Sequence, residues 1–176
     1  MKYYLLPVTG QVEEVAGSAF RYVICGECGN SFRKQEKDLV LRVLEPVGPF
    51  TTTIDGDLVA CEELARSILT LEPTVSLRSA SLDGAAGTWF QVISTKCAEL
   101  ADFSLRAPRT HCGRCGGITR VQLGDSPPLV LAAAATGLPH FDHVCGAPLM
   151  TILSSEVSRV LSDADPGFSA TEVQLA

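Results

Sequence analysis

The stretch LVACEELARSILTLEPTVSLRS, residues 58–79, sets the fold class. It opens on Leu58, Val59 and Ala60, an apolar run of strand length. Cys61-Glu62-Glu63 then gives a polar helix start, with carboxylates where the positive end of a helix dipole favours them. Leu64 and Ile68 put one apolar face on a short amphipathic helix. Pro73 stops that helix, because proline has no amide to donate and clashes with the preceding turn. VSLRSASL (75–82) follows with the partial alternation of a strand. Strand, helix and strand in one short run predict an α+β fold, with short helices on a mostly antiparallel sheet.

The unit recurs in TILSSEVSRVLSDADPGFSATE, residues 151–172, at an offset of 93 residues, as from Glu63 to Glu156. Leu64 falls on Val157, Arg66 on Arg159, Ile68 on Leu161, Pro73 on Pro166 and Ser76 on Ser169. Ser154 or Ser155 is suited to cap the second helix, and FSATEVQL (168–175) reads as its closing strand. Two such units predict an internal duplication.

A cysteine pair precedes each unit. CGECGNSFR (25–33) and HCGRCGGITR (111–120) align at an offset of 87, from Cys25 to Cys112. Cys25, Gly26, Cys28, Gly29 and Arg33 then match Cys112, Gly113, Cys115, Gly116 and Arg120. Two thiolates three residues apart reach one ion only across a sharp turn. Glycine after each cysteine allows the positive φ that such a turn uses. Two facing knuckles close a tetrahedron of four thiolates, the geometry of a structural zinc site. The expected ligands are Cys25, Cys28, Cys112 and Cys115, holding structural Zn2+. Two alternatives stand beside this: a pair of thioredoxin-like redox motifs, and thiols without metal or in separate sites. Gly29 and Gly116 oppose the first, since a redox Cys-x-x-Cys opens a helix. A single shared ion would clip together stretches with 83 residues between Cys28 and Cys112, which constrains the unfolded chain strongly.

Of seven cysteines, Cys61, Cys97 and Cys145 remain, so disulfides cannot use them all. His140 and His143 crowd Cys145 and raise the question of a second metal, though a satisfied loop is the plainer reading. No G-x-S-x-G elbow, P-loop or H-E-x-x-H helix occurs, and no catalytic residue is assigned. The protein is expected not to be an enzyme.

The remaining strands are read in MKYYLLPV (1–8), DLVLRVLEP (38–46), GTWFQVIST (87–95) and ADFSLRAP (101–108). LVLAAAATG (129–137) is ambiguous, its alanines favouring helix. The 176 residues are expected to form one zinc-stabilised domain, or two packed halves at 1–105 and 106–176. No window has the roughly 20 apolar residues of a membrane span, and the opening residues do not read as a secretory signal. A cytoplasmic protein is expected. Net charge is −6, and Arg33, Lys34 and Lys37 are interrupted by Glu36, so a phosphate-binding surface is not expected. An acidic chain suits a more basic protein partner.

At the paired knuckles the chain resembles the bacterial double-CXXCG motif proteins. PLVLAAAATGLPHFDHVCGAPLMTILSSEVSRVL and GFSATEVQL are similar to the family's leucine-rich stretch, strand, serine-containing helix start and final strand. The resemblance covers about the first 35 and last 70 residues and leaves 36–105 unmatched. It implies an immunity protein that binds and blocks a polymorphic toxin delivered by contact between kin, with zinc as scaffold. Only Cys25, Cys28, Cys112 and Cys115 carry over residue by residue. The alternative is a zinc-ribbon adaptor that binds nucleic acid or another protein in transcription or RNA metabolism.

Overall fold

The computed structural model describes residues 2–15, 19–28, 31–94, 97–98, 110–114, 118–120, 130–131, 141–144 and 147–175. The predicted strand–helix–strand units are both present. The first runs through β7 (Leu58–Cys61), α1 (Glu62–Leu71) and β8 (Ser76–Asp83). The second runs through β15 (Ala147–Ser154), α2 (Ser155–Ala164) and β16 (Thr171–Leu175). The fold is α+β with mostly antiparallel strands and two short helices.

Each unit belongs to a six-stranded sheet. The first sheet also contains β2 (Val12–Glu14), β5 (Leu39–Val43), β6 (Phe50–Thr52) and β9 (Trp89–Ile93), in the order β2-β5-β8-β9-β7-β6. The second contains β1 (Tyr3–Leu5), β10 (Cys97–Ala98), β13 (Val130–Leu131) and β14 (Phe141–Val144), in the order β10-β14-β15-β1-β16-β13. Pairing is antiparallel except for β5 with β8, β13 with β16, and β10 with β14. The predicted strands at 1–8, 38–46 and 87–95 appear as β1, β5 and β9. The stretch 101–108 lies outside the described residues, as do 132–137 of LVLAAAATG, whose Val130–Leu131 form β13.

The helices meet across one apolar core. Leu64, Ala65 and Ile68 of α1 and Val157 and Leu161 of α2 are buried with Leu58, Ala60, Val92, Leu153 and Leu6. Phe50 and Phe168 close it edge to face, 5.3 Å between ring centroids. Seven of these side chains, Leu58, Ala60, Ala65, Ile68, Leu153, Val157 and Leu161, are 0% exposed, so the hydrophobic effect acts on them in full. The opposite face of the first sheet buries a second core, in which Val12, Leu39, Leu41, Val59 and Trp89 cluster with Ala19. Burial on both faces explains why β7 is an unbroken apolar run rather than an alternating one.

Helix ends repeat at the same offset as the sequence. Ser154 caps α2, its hydroxyl accepting the Val157 amide at 3.2 Å. Cys61 stands at the corresponding cap of α1 with no side-chain hydrogen bond. Both helices end four residues beyond a buried aliphatic side chain, where the Glu72 and Asp165 amides donate to the Ile68 and Leu161 carbonyls at 2.9 Å.

A threonine seam ties the two sheets together. The Thr9 amide donates to Thr52 Oγ1 at 2.8 Å, and Thr52 Oγ1 donates to the Pro7 carbonyl at 2.9 Å. Thr151 Oγ1, on β15, donates to the Gly56 carbonyl at 3.0 Å. Thr52 and Thr151 are 0% exposed, and these bonds offset the cost of burying their hydroxyls.

Candidate metal centre

Two hairpins carry the knuckles. β3 (Phe20–Ile24) and β4 (Ser31–Gln35) pair antiparallel around the first, and Cys25 follows β3 directly. β11 (Thr110–His111) and β12 (Ile118–Arg120) pair around the second, and Cys112 follows β11 directly.

The tips do converge. The Sγ atoms of Cys25, Cys28 and Cys112 all lie within 4.8 Å of one another. Cys25 and Cys112 are buried and their Sγ atoms are 3.8 Å apart. A disulfide needs about 2.05 Å, so this pair is not bonded. A tetrahedron with Zn–S arms of about 2.3 Å has edges of about 3.8 Å. The separation therefore fits two ligands of one tetrahedral ion, and the thiol donor set suits zinc or another soft cation. Cys115, the expected fourth ligand, lies outside the described residues.

The knuckles also pack reciprocally. Arg114 Nη1 lies 3.7 Å from where a side chain would begin at Gly26, and Glu27 Oε1 lies 3.9 Å from that point at Gly113. Glu27 and Arg114 occupy matching places in their knuckles, as do Gly26 and Gly113. Each tip thus sends one side chain toward the other's exposed glycine, a reciprocal arrangement like that of a two-fold interface. Neither Gly26 nor Gly113 has positive φ, contrary to the turn geometry expected from the sequence. An added Cβ at either would make only ordinary contact. At Gly26 and Gly113 the backbone takes φ values open to any residue. Gly29 and Gly116 lie outside the described residues.

A polar relay anchors the first hairpin to its sheet. Gln35, ending β4, donates through Nε2 to Gln91 Oε1 at 2.7 Å. Gln91 Nε2 donates to Asp57 Oδ1 at 3.0 Å, and Thr53 Oγ1 donates to Asp57 Oδ2 at 3.2 Å. Gln91 and Asp57 are buried, so the relay fixes hairpin orientation where a broken bond costs most. These residues carry no motif by which sequence would single them out.

Cys61 is at the α1 cap, apart from the thiol cluster. His143 lies on β14, opposite Thr151 and level with Cys97 of β10. His111 ends β11. His140 and Cys145 lie outside the described residues. Among the described residues no helix is long and apolar enough to cross a membrane.

No family model matches the chain, and no match is found among the curated proteins.

Proposed function

We propose that the protein is a zinc-stabilised, non-catalytic cytoplasmic binding protein that neutralises a cognate bacterial toxin. The observation that carries this is the convergence of Cys25, Cys28 and Cys112 from knuckles 87 residues apart, Cys25 to Cys112. Cys115 completes the set as the fourth ligand. Four thiolates close the coordination shell and leave no position for substrate, which makes the ion a clasp and leaves recognition to the surface. The acidic balance, −6 overall, favours a basic protein over a nucleic acid as the partner. The paired knuckles are also what the chain shares with the double-CXXCG proteins, from which the immunity role is taken.

The two units are read as products of an internal duplication. Support comes from helices, caps and buried positions that all correspond at 93 residues, and from the reciprocal knuckles.

The test is capture of the product of a neighbouring large toxin-like reading frame by the tagged, zinc-loaded protein. Stoichiometric binding that abolishes the toxin's effect on cells is expected. Retention of nucleic acid alone, weakening steeply with salt, would replace this reading with the adaptor one. Native mass spectrometry is expected to find about one zinc per chain.

A further inference from the structure

The second sheet takes one strand from the far end of the sequence. In the first sheet, β9 lies between β7 and β8, antiparallel to both. In the second, β1 lies between β15 and β16, also antiparallel to both. The registers agree residue by residue. Trp89 is opposite Cys61 and Ala80, while Tyr3 is opposite Ser154 and Val173. Cys61 to Ser154 and Ala80 to Val173 are both steps of 93. Phe90 and Tyr4 agree in the same way: Phe90 faces Ala60 and Ser79, and Tyr4 faces Leu153 and Glu172.

The correspondence extends beyond the paired residues. The Thr88 carbonyl accepts the first amide of α1, from Glu62, at 3.0 Å. The Lys2 carbonyl accepts the first amide of α2, from Ser155, at 3.1 Å. Val92 and Leu6, two residues beyond Phe90 and Tyr4, are both buried in the shared core. The outer neighbours match as well: β6 and β14 pair antiparallel with β7 and β15, and β5 and β13 pair parallel with β8 and β16.

We infer that the cleft between β15 and β16 is a strand-acceptor site for an extended segment with adjacent aromatic residues followed by aliphatic ones. Its occupant is this chain's own Lys2–Leu6 segment, the transposed counterpart of Thr88–Val92. The inference rests on the duplication reading and makes it specific: the repeat is circularly permuted, with the last strand of the second unit placed ahead of the first. Such an acceptor works by main-chain hydrogen bonds, with alternate side chains seated in the core, as in strand addition to an open sheet.

The test relocates the strand. Eight residues (81–88) join Ala80 to Trp89, and five (174–176 and 1–2) would join Val173 to Tyr3. Three added residues make the loops equal. A chain that starts at Gly10, with residues 1–9 moved behind Ala176 through that linker, has its break among exposed residues 8–10. It is expected to stay monomeric, to bind as much zinc as the parent, and to melt within about 4 °C of it. A chain lacking residues 1–6 is expected to lose its cooperative transition. Loss of cooperative melting in the relocated chain, or an unchanged Tm in the shortened one, overturns the inference. Neither result decides the zinc and toxin readings, which are measured on the parent chain.

Discussion

Cys25 and Cys112 hold their Sγ atoms 3.8 Å apart, the edge length of a zinc–thiolate tetrahedron. Cys112→Ser removes one ligand and leaves the remaining thiols an incomplete shell. The variant is expected to lose its zinc and its cooperative melt, because metal binding of this kind contributes on the order of 10 kcal/mol. Metal content and calorimetry on the same sample check it; a zinc-loaded, fully folded variant would count against the shared site. Chelation of the parent at neutral pH is expected to have the same effect.

Gly26→Ala and Gly113→Ala are expected to be tolerated, singly and together. Neither glycine has positive φ, and a methyl at either meets ordinary contact distances. The change in stability should stay within about 0.5 kcal/mol, as for surface positions without special geometry. A large loss in denaturant titration would mean that the knuckle turns need glycine after all.

The two helix caps differ where the rest of the units agree. Ser154→Ala removes the bond to the Val157 amide and is expected to cost about 1 kcal/mol. Cys61→Ser supplies the missing acceptor to α1 and is expected to raise Tm. Equal behaviour of both positions in thermal melts would contradict the capping assignment.

Ile68→Ala and Leu161→Ala strike corresponding positions in the core between the helices. Each is expected to lose about 2–5 kcal/mol, since both side chains are 0% exposed. A double-mutant cycle tests whether the core is one unit: non-additive losses are expected for side chains in a single cluster.

Burial pushes the Tyr3 phenol above its ordinary pKa, and the negative charge of Glu156 adds to the shift. The folded chain therefore holds this proton more tightly than the unfolded one. The contribution is fully present below about pH 10 and is lost as pH rises through the folded value. Alkaline melts of the parent should fall off above about pH 10. Tyr3→Phe should lessen that decline; an identical pH profile would exclude Tyr3 as its source.

The amphipathic helices, their proline stops and the Ser154 cap were legible because each depends on neighbours in sequence. Cys25, Cys28 and Cys112 were legible for another reason: a repeated spacing reports a shared ligand without knowledge of the path between. The place of β1 was not legible. Its pairing with Ser154 and Val173 is set by non-local contacts, and YYLL fits any half-buried strand. The Gln35–Gln91–Asp57 relay was hidden for the same reason, since amide side chains at those positions look like ordinary surface residues until the hairpin folds over the sheet. At Gly26 and Gly113 the positive φ expected from the sequence is not found, because a glycine allows such a φ without requiring it.

The position of β1 also has a cost in time. Tyr3 leaves the ribosome 151 residues ahead of its partner Ser154 and 170 ahead of Val173. At about 5–20 residues per second, the aromatic strand waits roughly 8–30 seconds for the cleft that receives it. During synthesis the chain must keep Tyr3, Tyr4 and Leu6 from pairing with the growing first sheet, whose β7 and β8 offer the same register to β9. On the transposed-repeat reading, Lys2–Leu6 and Thr88–Val92 are competitors for one early cleft as the chain is made.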